Sequence, residues 1–244
     1  MMRNWKLGLC FMMLPYCVPV AVAATEASGV PGVSKFATDS PAATSIAEDI
    51  KAGTATPEQY FEAADKADKA DDMIAATHLY RLAAEGGHAQ AQVRLGMILF
   101  ESGYVKQALD FYQKAAEQGN ADGMFGEGMI VMGGELGKPD FVEARRLFAQ
   151  AAESGHALSL HKLADAYISG GMGLDDVVRS GPEALSWIRR AADANYVPAV
   201  EALGNAYRVG LYGLAIDVKQ ADELKAKADK LKGVVEVKKR KKRI

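Results

Sequence analysis

Four histidines, His78, His88, His156 and His161, are the residues of this 244-residue chain best suited to binding a metal or moving a proton near neutral pH. A metal-binding pair on one helix places its histidines four positions apart, whereas His156 and His161 are five apart. His88 and His156 each follow a glycine that ends a similar stretch of sequence, which favours a role in packing or in starting a helix. We therefore predict no metal site.

The sequence also contains no clear candidate for a catalytic nucleophile or for a general acid or base. The chain contains no serine elbow, and its glycine-rich segment 170–173 lacks the Lys and Ser or Thr that complete a phosphate-binding loop. The carboxylate pairs Asp71-Asp72 and Asp175-Asp176 fall in loops or at predicted helix starts, where acidic side chains cap helices and favour the helix dipole. We expect a protein that is not an enzyme and that uses no cofactor.

The N-terminal segment 1–24 is typical of a secretory signal peptide. Arg3 and Lys6 give a basic start, an apolar run covers residues 7–22, and small residues suited to cleavage follow. The run is shorter than the ~20 residues of a membrane span, and Pro15 interrupts it. We predict that this segment is removed and that the mature protein is periplasmic or secreted; an uncleaved anchor is the alternative.

Both cysteines, Cys10 and Cys17, lie inside the predicted signal peptide. The mature protein is therefore expected to have no thiol, no disulfide and no cysteine metal site. Bulky Tyr16 stands where a lipoprotein signal has a small residue, which argues against lipid attachment at Cys17.

Charge divides the mature chain into an acidic body and a basic tail. Apart from two basic residues in the signal peptide and six in the tail, the body carries 21 basic and 31 acidic residues, a net charge of −10. The basic residues of the tail are Lys238, Lys239, Arg240, Lys241, Lys242 and Arg243. Such a cluster is able to hold anionic envelope lipid, lipopolysaccharide or nucleic acid, or to remain solvated. It contains no aromatic residues for base stacking, which argues against nucleic acid, and its likeness to a nuclear import signal conflicts with the secretory start.

Three further segments follow the signal peptide. Residues 25–55 are rich in Ala, Ser, Thr, Gly and Pro and predict a flexible linker, in which 45–52 is the one candidate for a short helix. A capping box at Thr56-Pro57-Glu58-Gln59 marks the start of an ordered domain, 56–232. Residues 233–244 form the C-terminal tail.

The ordered domain contains an internal repeat. Ala-Ala-Glu-x-Gly-x-Ala begins at 83, 115 and 151, and a degenerate copy begins at 191, so the copies are 32, 36 and 40 residues apart. Periods of this length are typical of helical repeat arrays. The pattern predicts five helix pairs: 57–69 with 73–85, 89–101 with 105–118, 122–132 with 141–154, 158–169 with 182–194, and 198–209 with 217–231.

The repeat resembles the Sel-one-like repeat family, a branch of the tetratricopeptide-type α/α solenoids, over about residues 73–232. The residues that carry the resemblance are Ala89, Ala91, Leu95, Gly96, Ala108, Phe111, Ala115, Ala116, Glu117, Gly119 and Ala121. The resemblance implies a right-handed all-α solenoid that works as an adaptor for proteins or peptides, and in secreted bacterial members a role in the envelope, in signalling or in host interaction. Some secreted relatives link each helix pair with a disulfide, which this mature chain is predicted to lack.

If the pairs stack as in that family, the first helix of each pair lines the concave face of the solenoid. Residues three or four positions apart then align on this face. The predicted partner-binding residues are Val93, Met97, Phe100, Phe125, Met129, Met132, His161, Asp165, Ile168, Glu201, Asn205 and Arg208. The first six are apolar and include three methionines, whose flexible side chains suit an adaptable groove. A core role for many of them is the alternative, because helical spacing is equally typical of packing.

The third pair departs from the repeat at Glu127, which replaces a leucine and is flanked by Gly123, Gly126 and Gly128. Each glycine inside a helix costs about 0.5–1 kcal/mol relative to alanine, so this helix is predicted to be intrinsically the weakest of the array. The sequence is consistent with two interpretations. The repeat pattern has been lost locally and Glu127 lies in solvent, or this helix is a less stable element at a binding site.

These observations together predict a monomeric, non-catalytic protein–protein interaction adaptor of the cell envelope that binds a protein or peptide on its concave face. The alternative is an envelope-associated structural or host-interaction factor of the virulence type, held on anionic surfaces by its basic tail.

Overall fold

The computed structural model describes residues 48–241, with side chains described for residues 48–233. The predicted signal peptide 1–24, residues 25–47 of the predicted linker, residues 242–244 and the side chains of the basic tail lie outside the described residues. In the range that is described, no helix combines the length and apolar character needed to cross a membrane.

The described part of the chain is all-α, and most successive helices are joined by short turns. After a helical segment at residues 48–52, the helices are α1 (Pro57–Lys69), α2 (Met73–Glu85), α3 (Ala89–Glu101), α4 (Val105–Glu117), α5 (Ala121–Gly133), α6 (Phe141–Glu153), α7 (Ala157–Ser169), α8 (Asp176–Arg179), α9 (Pro182–Asp193), α10 (Val197–Val209) and α11 (Val218–Lys241), with a 3-10 turn at Leu211–Gly213.

Neighbouring helices form the predicted five antiparallel pairs: α1 with α2, α3 with α4, α5 with α6, α7 with α9, and α10 with α11. The second helix of each pair also packs on the first helix of the next pair, as in an α/α solenoid. The fold class is therefore confirmed. The pattern did not predict the short helix α8 or the continuation of α11 to Lys241.

Helix starts follow the capping residues of the sequence. Thr56 and Gln59 form the predicted capping box at α1, in which each side chain bonds the other residue's backbone N–H. Asp72 caps α2 by accepting from the backbone N–H of Ala75. His88 and His156 cap α3 and α7 in the same way, which confirms that these histidines start helices.

Helix ends follow the repeated glycines. Gly87, Gly119 and Gly155 come directly after the capping residue of α2, α4 and α6, with φ of +94°, +80° and +89°. Asn195 takes the same place in the degenerate copy with φ of +62°. Only glycine, and less readily asparagine, adopts this left-handed conformation at low cost, which explains why the position is repeated.

The interior is built from small alanines and large side chains, and one of the large side chains recurs at the same position on the second helix of successive pairs. Tyr80, Tyr112, Phe148 and Ile188 occupy equivalent positions on α2, α4, α6 and α9, and each is buried. The described core forms two clusters, one from Ile50 to α5 and one from α6 to α11.

Helix α5 joins these two clusters. Its Ile130 belongs to the first, whereas Phe125 and Met129 on the same helix pack against the second. A Cβ at Gly126 would lie 2.5 Å from the Tyr112 ring, and one at Gly128 would lie 2.7 Å from the Phe148 ring. The glycines of α5 therefore admit the large side chains of α4 and α6, and this close packing compensates for their low helix propensity.

Glu127 lies half-buried on α5 rather than fully in solvent. Its Oε1 accepts a hydrogen bond from Nε2 of Gln113 on α4, at 3.1 Å. The residue that breaks the leucine pattern thus makes a polar contact with the preceding repeat.

The folded region begins before Thr56, although the linker was predicted to extend to residue 55. Residues 48–52 are helical, as the candidate short helix predicted, and Ile50 is only 4% exposed. Ile50 provides the reason, because it is a large apolar side chain that packs in the first core cluster.

Candidate functional site

An open apolar groove of about 480 Å³ lies between α3 and α5, the first helices of the second and third pairs; we call it the α3–α5 groove. Its volume falls within the ~300–1,000 Å³ of typical ligand pockets. Five of the predicted partner-binding residues line it: Val93, Met97, Phe100, Phe125 and Met129. The structure thus brings together most of the apolar half of the predicted set.

The groove side chains combine packing with accessibility. Met97 is 40% exposed and Phe100 is 38% exposed, which is unusual for such large apolar residues. Val93, Phe125 and Met129 are half-buried, in keeping with the core alternative. These half-buried side chains are therefore part of the solenoid interior, whereas Met97 and Phe100 on α3 face solvent.

The sixth apolar residue of the set, Met132, lies outside the groove. It is half-buried and packs against the second core cluster. Its predicted place on the binding surface is not supported by the geometry, because its side chain packs against that cluster and does not line the groove.

One end of the groove is polar and is formed by Gln90, Asp122 and His156. Nδ1 of His156 accepts the backbone N–H of Ser159 at 3.2 Å, so this nitrogen carries no proton in the capped helix. Nε2 of His156 then holds the proton and faces Oδ1 of Asp122 at 3.2 Å. The cap and the carboxylate contact together fix the orientation of the imidazole ring.

This contact between repeats recurs along the solenoid. His88 Nε2 lies 2.9 Å from Glu58 Oε2, and its Nδ1 accepts the N–H of Ala91 at 3.1 Å. Asn120 caps α5 and donates from Nδ2 to Oε1 of Gln90 at 3.1 Å. In each contact, the capping residue of one repeat meets the second residue of the first helix of the preceding repeat. We call these contacts the inter-repeat ladder: Glu58–His88, Gln90–Asn120 and Asp122–His156.

Aromatic packing accompanies the ladder. The rings of Phe61 and His88 stack with centroids 4.3 Å apart, and those of Phe125 and His156 lie 4.8 Å apart. Because Phe125 also lines the α3–α5 groove, the histidine cap of the next repeat supports the groove wall.

In the following repeat the predicted residues His161 and Asp165 are held by Tyr196. The His161 and Tyr196 rings stack at 4.0 Å, and the Tyr196 hydroxyl donates to the Asp165 carboxylate at 2.7 Å. Burial lowers the pKa of His161 below its ordinary value, although the nearby Asp165 charge acts in the opposite direction. Ile168 is half-buried against the second core cluster. These three residues are engaged in packing and do not line the groove.

The last predicted set, Glu201, Asn205 and Arg208, lines a separate cavity of about 250 Å³ against α11. Arg208 Nη2 lies 2.7 Å from Asp222 Oδ1, and Glu201 forms an ion pair with Lys232. Because α11 packs over this part of α10, the twelve predicted residues do not form one continuous surface.

Arg94 and Tyr112 are among the groove residues that were not predicted from the sequence. Arg94 is half-buried, and its Nε atom is buried without a hydrogen-bond partner among the described residues. Burial raises the pKa of Tyr112 to about 12, so its phenol is neutral at physiological pH. The one signal in the sequence was the charge of Arg94 itself, which lies between Val93 and Met97 of the predicted apolar stripe.

The basic tail contributes no described side chains, so its six predicted residues remain a prediction. The backbone of α11 continues as a helix through Lys241 and therefore includes the first four of them. Within residues that the structure describes, no group of three or more His, Cys, Asp or Glu side chains is placed to hold a metal ion.

Comparisons with known proteins match this architecture. The family model of the Sel1 repeat matches residues 60–88, 89–120, 121–156 and 157–196. An uncharacterized protein of Neisseria meningitidis serogroup B, NMB1327, is 31% identical over 127 residues, which cover 51% of this chain and 26% of that protein. The matched region thus spans about a quarter of that relative.

Two solved structures are also similar. The crystal structure of a Sel1 repeat protein from Oxalobacter formigenes has 25% identity and a TM-score of 0.58, with 77% of this chain and 76% of that chain covered. The structure of c5321, a protective antigen of uropathogenic Escherichia coli with an SLR fold, has 29% identity and a TM-score of 0.60, covering 75% of this chain and 40% of that chain. The four family matches account for more than half of the sequence and coincide with the first four helix pairs, so this chain belongs to the Sel1 repeat family.

Proposed function

We propose that this protein is a non-catalytic adaptor of the cell envelope that binds a protein or peptide partner in the α3–α5 groove. Sel1 repeat proteins are generally scaffolds for protein–protein interaction. The observation that carries the proposal is the exposure of Met97 and Phe100 on the wall of an apolar groove. Exposed apolar patches of this kind are typical of interaction surfaces, and methionine side chains adapt to differently shaped partners.

Site-specific photo-crosslinking in intact cells tests this function. A photoreactive amino acid replaces Met97 in the groove, and a matched control replaces Val142, which is 71% exposed on α6. The proposal expects a defined protein adduct from position 97 that position 142 does not give. If both positions give the same adducts, or neither gives any, the groove is not the binding surface.

The envelope location is part of the proposal and follows from the predicted signal peptide 1–24. Its test is cell fractionation followed by N-terminal sequencing of the mature protein. A periplasmic or extracellular product that begins near residue 25 supports the proposal. A cytoplasmic protein that keeps residues 1–24 contradicts it.

A host-interaction or surface-bound factor is the second candidate. It is favoured by the likeness to c5321, which is a protective antigen, and by the basic cluster of the tail. Deletion of residues 238–244 distinguishes the two candidates. Loss of envelope association with retained groove crosslinking supports tail-mediated binding to anionic surfaces, whereas unchanged association removes that role.

A further inference from the structure

We infer that the α3–α5 groove binds a peptide segment whose bulky apolar side chains fill the groove and whose single carboxylate pairs with Arg94. This inference rests on the proposed function and adds the chemistry of the partner. It commits to a segment of another protein as the occupant, rather than to a second copy of this chain.

Arg94 has an unsatisfied hydrogen-bond donor in the groove. This arginine lines an otherwise largely apolar part of the groove, and its Nε is buried with no hydrogen-bond partner among the described residues. Arg94 also takes part in no ion pair with another described residue. A buried N–H without an acceptor costs about 1–3 kcal/mol, and more for a charged group.

Other half-buried arginines of the described chain serve as an internal comparison. Arg145 donates to the carbonyl of Met172, Arg179 to those of Tyr167 and Ile168, and Arg190 to that of Ala152. Each of these side chains closes a contact between two elements of the solenoid. Arg94 makes no such contact with the residues that the structure describes, so its Nη groups remain available for an acceptor that arrives with a partner.

The guanidinium group has the right geometry for a carboxylate. Its two Nη groups lie in one plane and present a pair of N–H donors that matches the two carboxylate oxygens. Apolar side chains on the same groove exclude water from this pair and strengthen it. A peptide with one acidic residue between apolar residues satisfies both features.

The negative charge of the protein limits the partner to a single carboxylate. The body of this protein carries a net charge of −10, and Asp122 lies at one end of the same groove. A run of acidic residues would be repelled by this field, whereas one carboxylate placed at Arg94 is locally favoured.

Selection from a random 12-residue peptide display library tests the inference. The baits are the unmodified protein, purified after expression of the full chain, and its variants Arg94→Glu, Arg94→Gln, Met129→Lys and Arg81→Glu. Arg81 is exposed on α2, away from the groove lining, so Arg81→Glu is a control for the change in charge alone. Circular dichroism and thermal unfolding verify that each bait is folded, and Arg94→Gln serves if Arg94→Glu does not fold.

We expect the unmodified protein and Arg81→Glu to enrich apolar peptides with one Asp or Glu. Arg94→Glu is expected to enrich Lys or Arg at that position, and Arg94→Gln to lose the acidic preference. A synthetic peptide from the first selection should bind Arg94→Glu about tenfold or more weakly in fluorescence polarisation, which is ~1.4 kcal/mol.

The contrary outcomes separate this inference from the proposed function. If Met129→Lys abolishes enrichment but both Arg94 variants select the same peptides as the unmodified protein, the groove binds peptides and the role of Arg94 is wrong. If Met129→Lys also changes nothing, or no peptide is enriched, the groove function fails as well. A concentration-dependent dimer that Met129→Lys dissociates in sedimentation would make a second copy the occupant and overturn the inference.

Discussion

Nε2 of His156 and Oδ1 of Asp122 lie 3.2 Å apart and join the third and fourth repeats at the edge of the α3–α5 groove. The same imidazole caps α7 through Nδ1. One side chain therefore starts a helix, contacts the preceding repeat and packs against Phe125 of the groove wall.

Replacing His156 with alanine removes the cap and the ladder contact together. We expect the free energy of unfolding to fall by about 1–2 kcal/mol, because loss of an N-cap alone costs about 0.5–2 kcal/mol. His156→Asn is the matched variant, since Asn120 performs both roles in the preceding repeat, and it should cost less than alanine. Urea denaturation with equal m-values measures the difference, and equal losses for the two variants would contradict a capping role.

Gly126→Ala is expected to destabilise the protein even though alanine has the higher helix propensity. Its Cβ would lie 2.5 Å from the Tyr112 ring, and overpacking of this kind costs about 1–3 kcal/mol. Gly233 in α11 is the control, because a Cβ there meets nothing within 4 Å. Gly233→Ala should therefore stabilise by ~0.5–1 kcal/mol.

The double variant Gly126→Ala with Tyr112→Leu tests the cause. A smaller side chain on α4 leaves room for the new methyl group, so the two losses should not add. Additive losses would show that the glycine serves a purpose other than admitting Tyr112.

The contrast between α5 and the helix ends shows what the sequence could predict. Gly119 and Thr56 were assigned correctly because a helix end or cap depends on residues within one or two turns. The glycines of α5 predicted a weak helix because glycine has a low helix propensity. Their packing role was not predicted, because Tyr112 belongs to another helix and only the packed fold brings it near. Helix propensity alone is a poor guide to the role of a residue where contacts with other helices determine the packing.

The candidate site shows the same division. Met97 and Met129 were placed on a shared face because helical spacing and the repeat register suffice for that. Arg94 was missed, since burial of its Nε depends on side chains of neighbouring helices. Arg208 was assigned to the same face, but its ion pair with Asp222 on α11 could not be foreseen from spacing within α10.

The stability of the fourth repeat should depend on pH through His161. Burial lowers its pKa in the folded protein, so the unfolded chain binds the proton more tightly. The stabilising contribution of neutral His161 is present above the ordinary histidine pKa of about 6.5 and is lost as the pH falls from there to the lower folded value.

His161→Phe keeps a ring for stacking on Tyr196 and removes the titration. We expect this variant to lose less stability than the unmodified protein between pH 7.5 and pH 5, measured by urea denaturation. NMR titration of His161 should give a pKa below 6.5. Equal pH dependence of the two proteins, or an unshifted titration, would show that burial does not affect this imidazole.

Partner binding should be lost when lysine replaces Met97 and Met129 together. The two side chains line the α3–α5 groove from α3 and α5, and a partner that buries two new ammonium groups there must remove them from water. We expect the adduct or complex identified through position 97 to be absent in a pull-down with the double variant. The matched control carries one lysine at Ile74 and one at Val142, which are 75% and 71% exposed outside the groove, and it should retain the partner. Circular dichroism must show both variants folded; a folded Met97→Lys and Met129→Lys protein that still captures the partner would place the interaction on another surface of the solenoid.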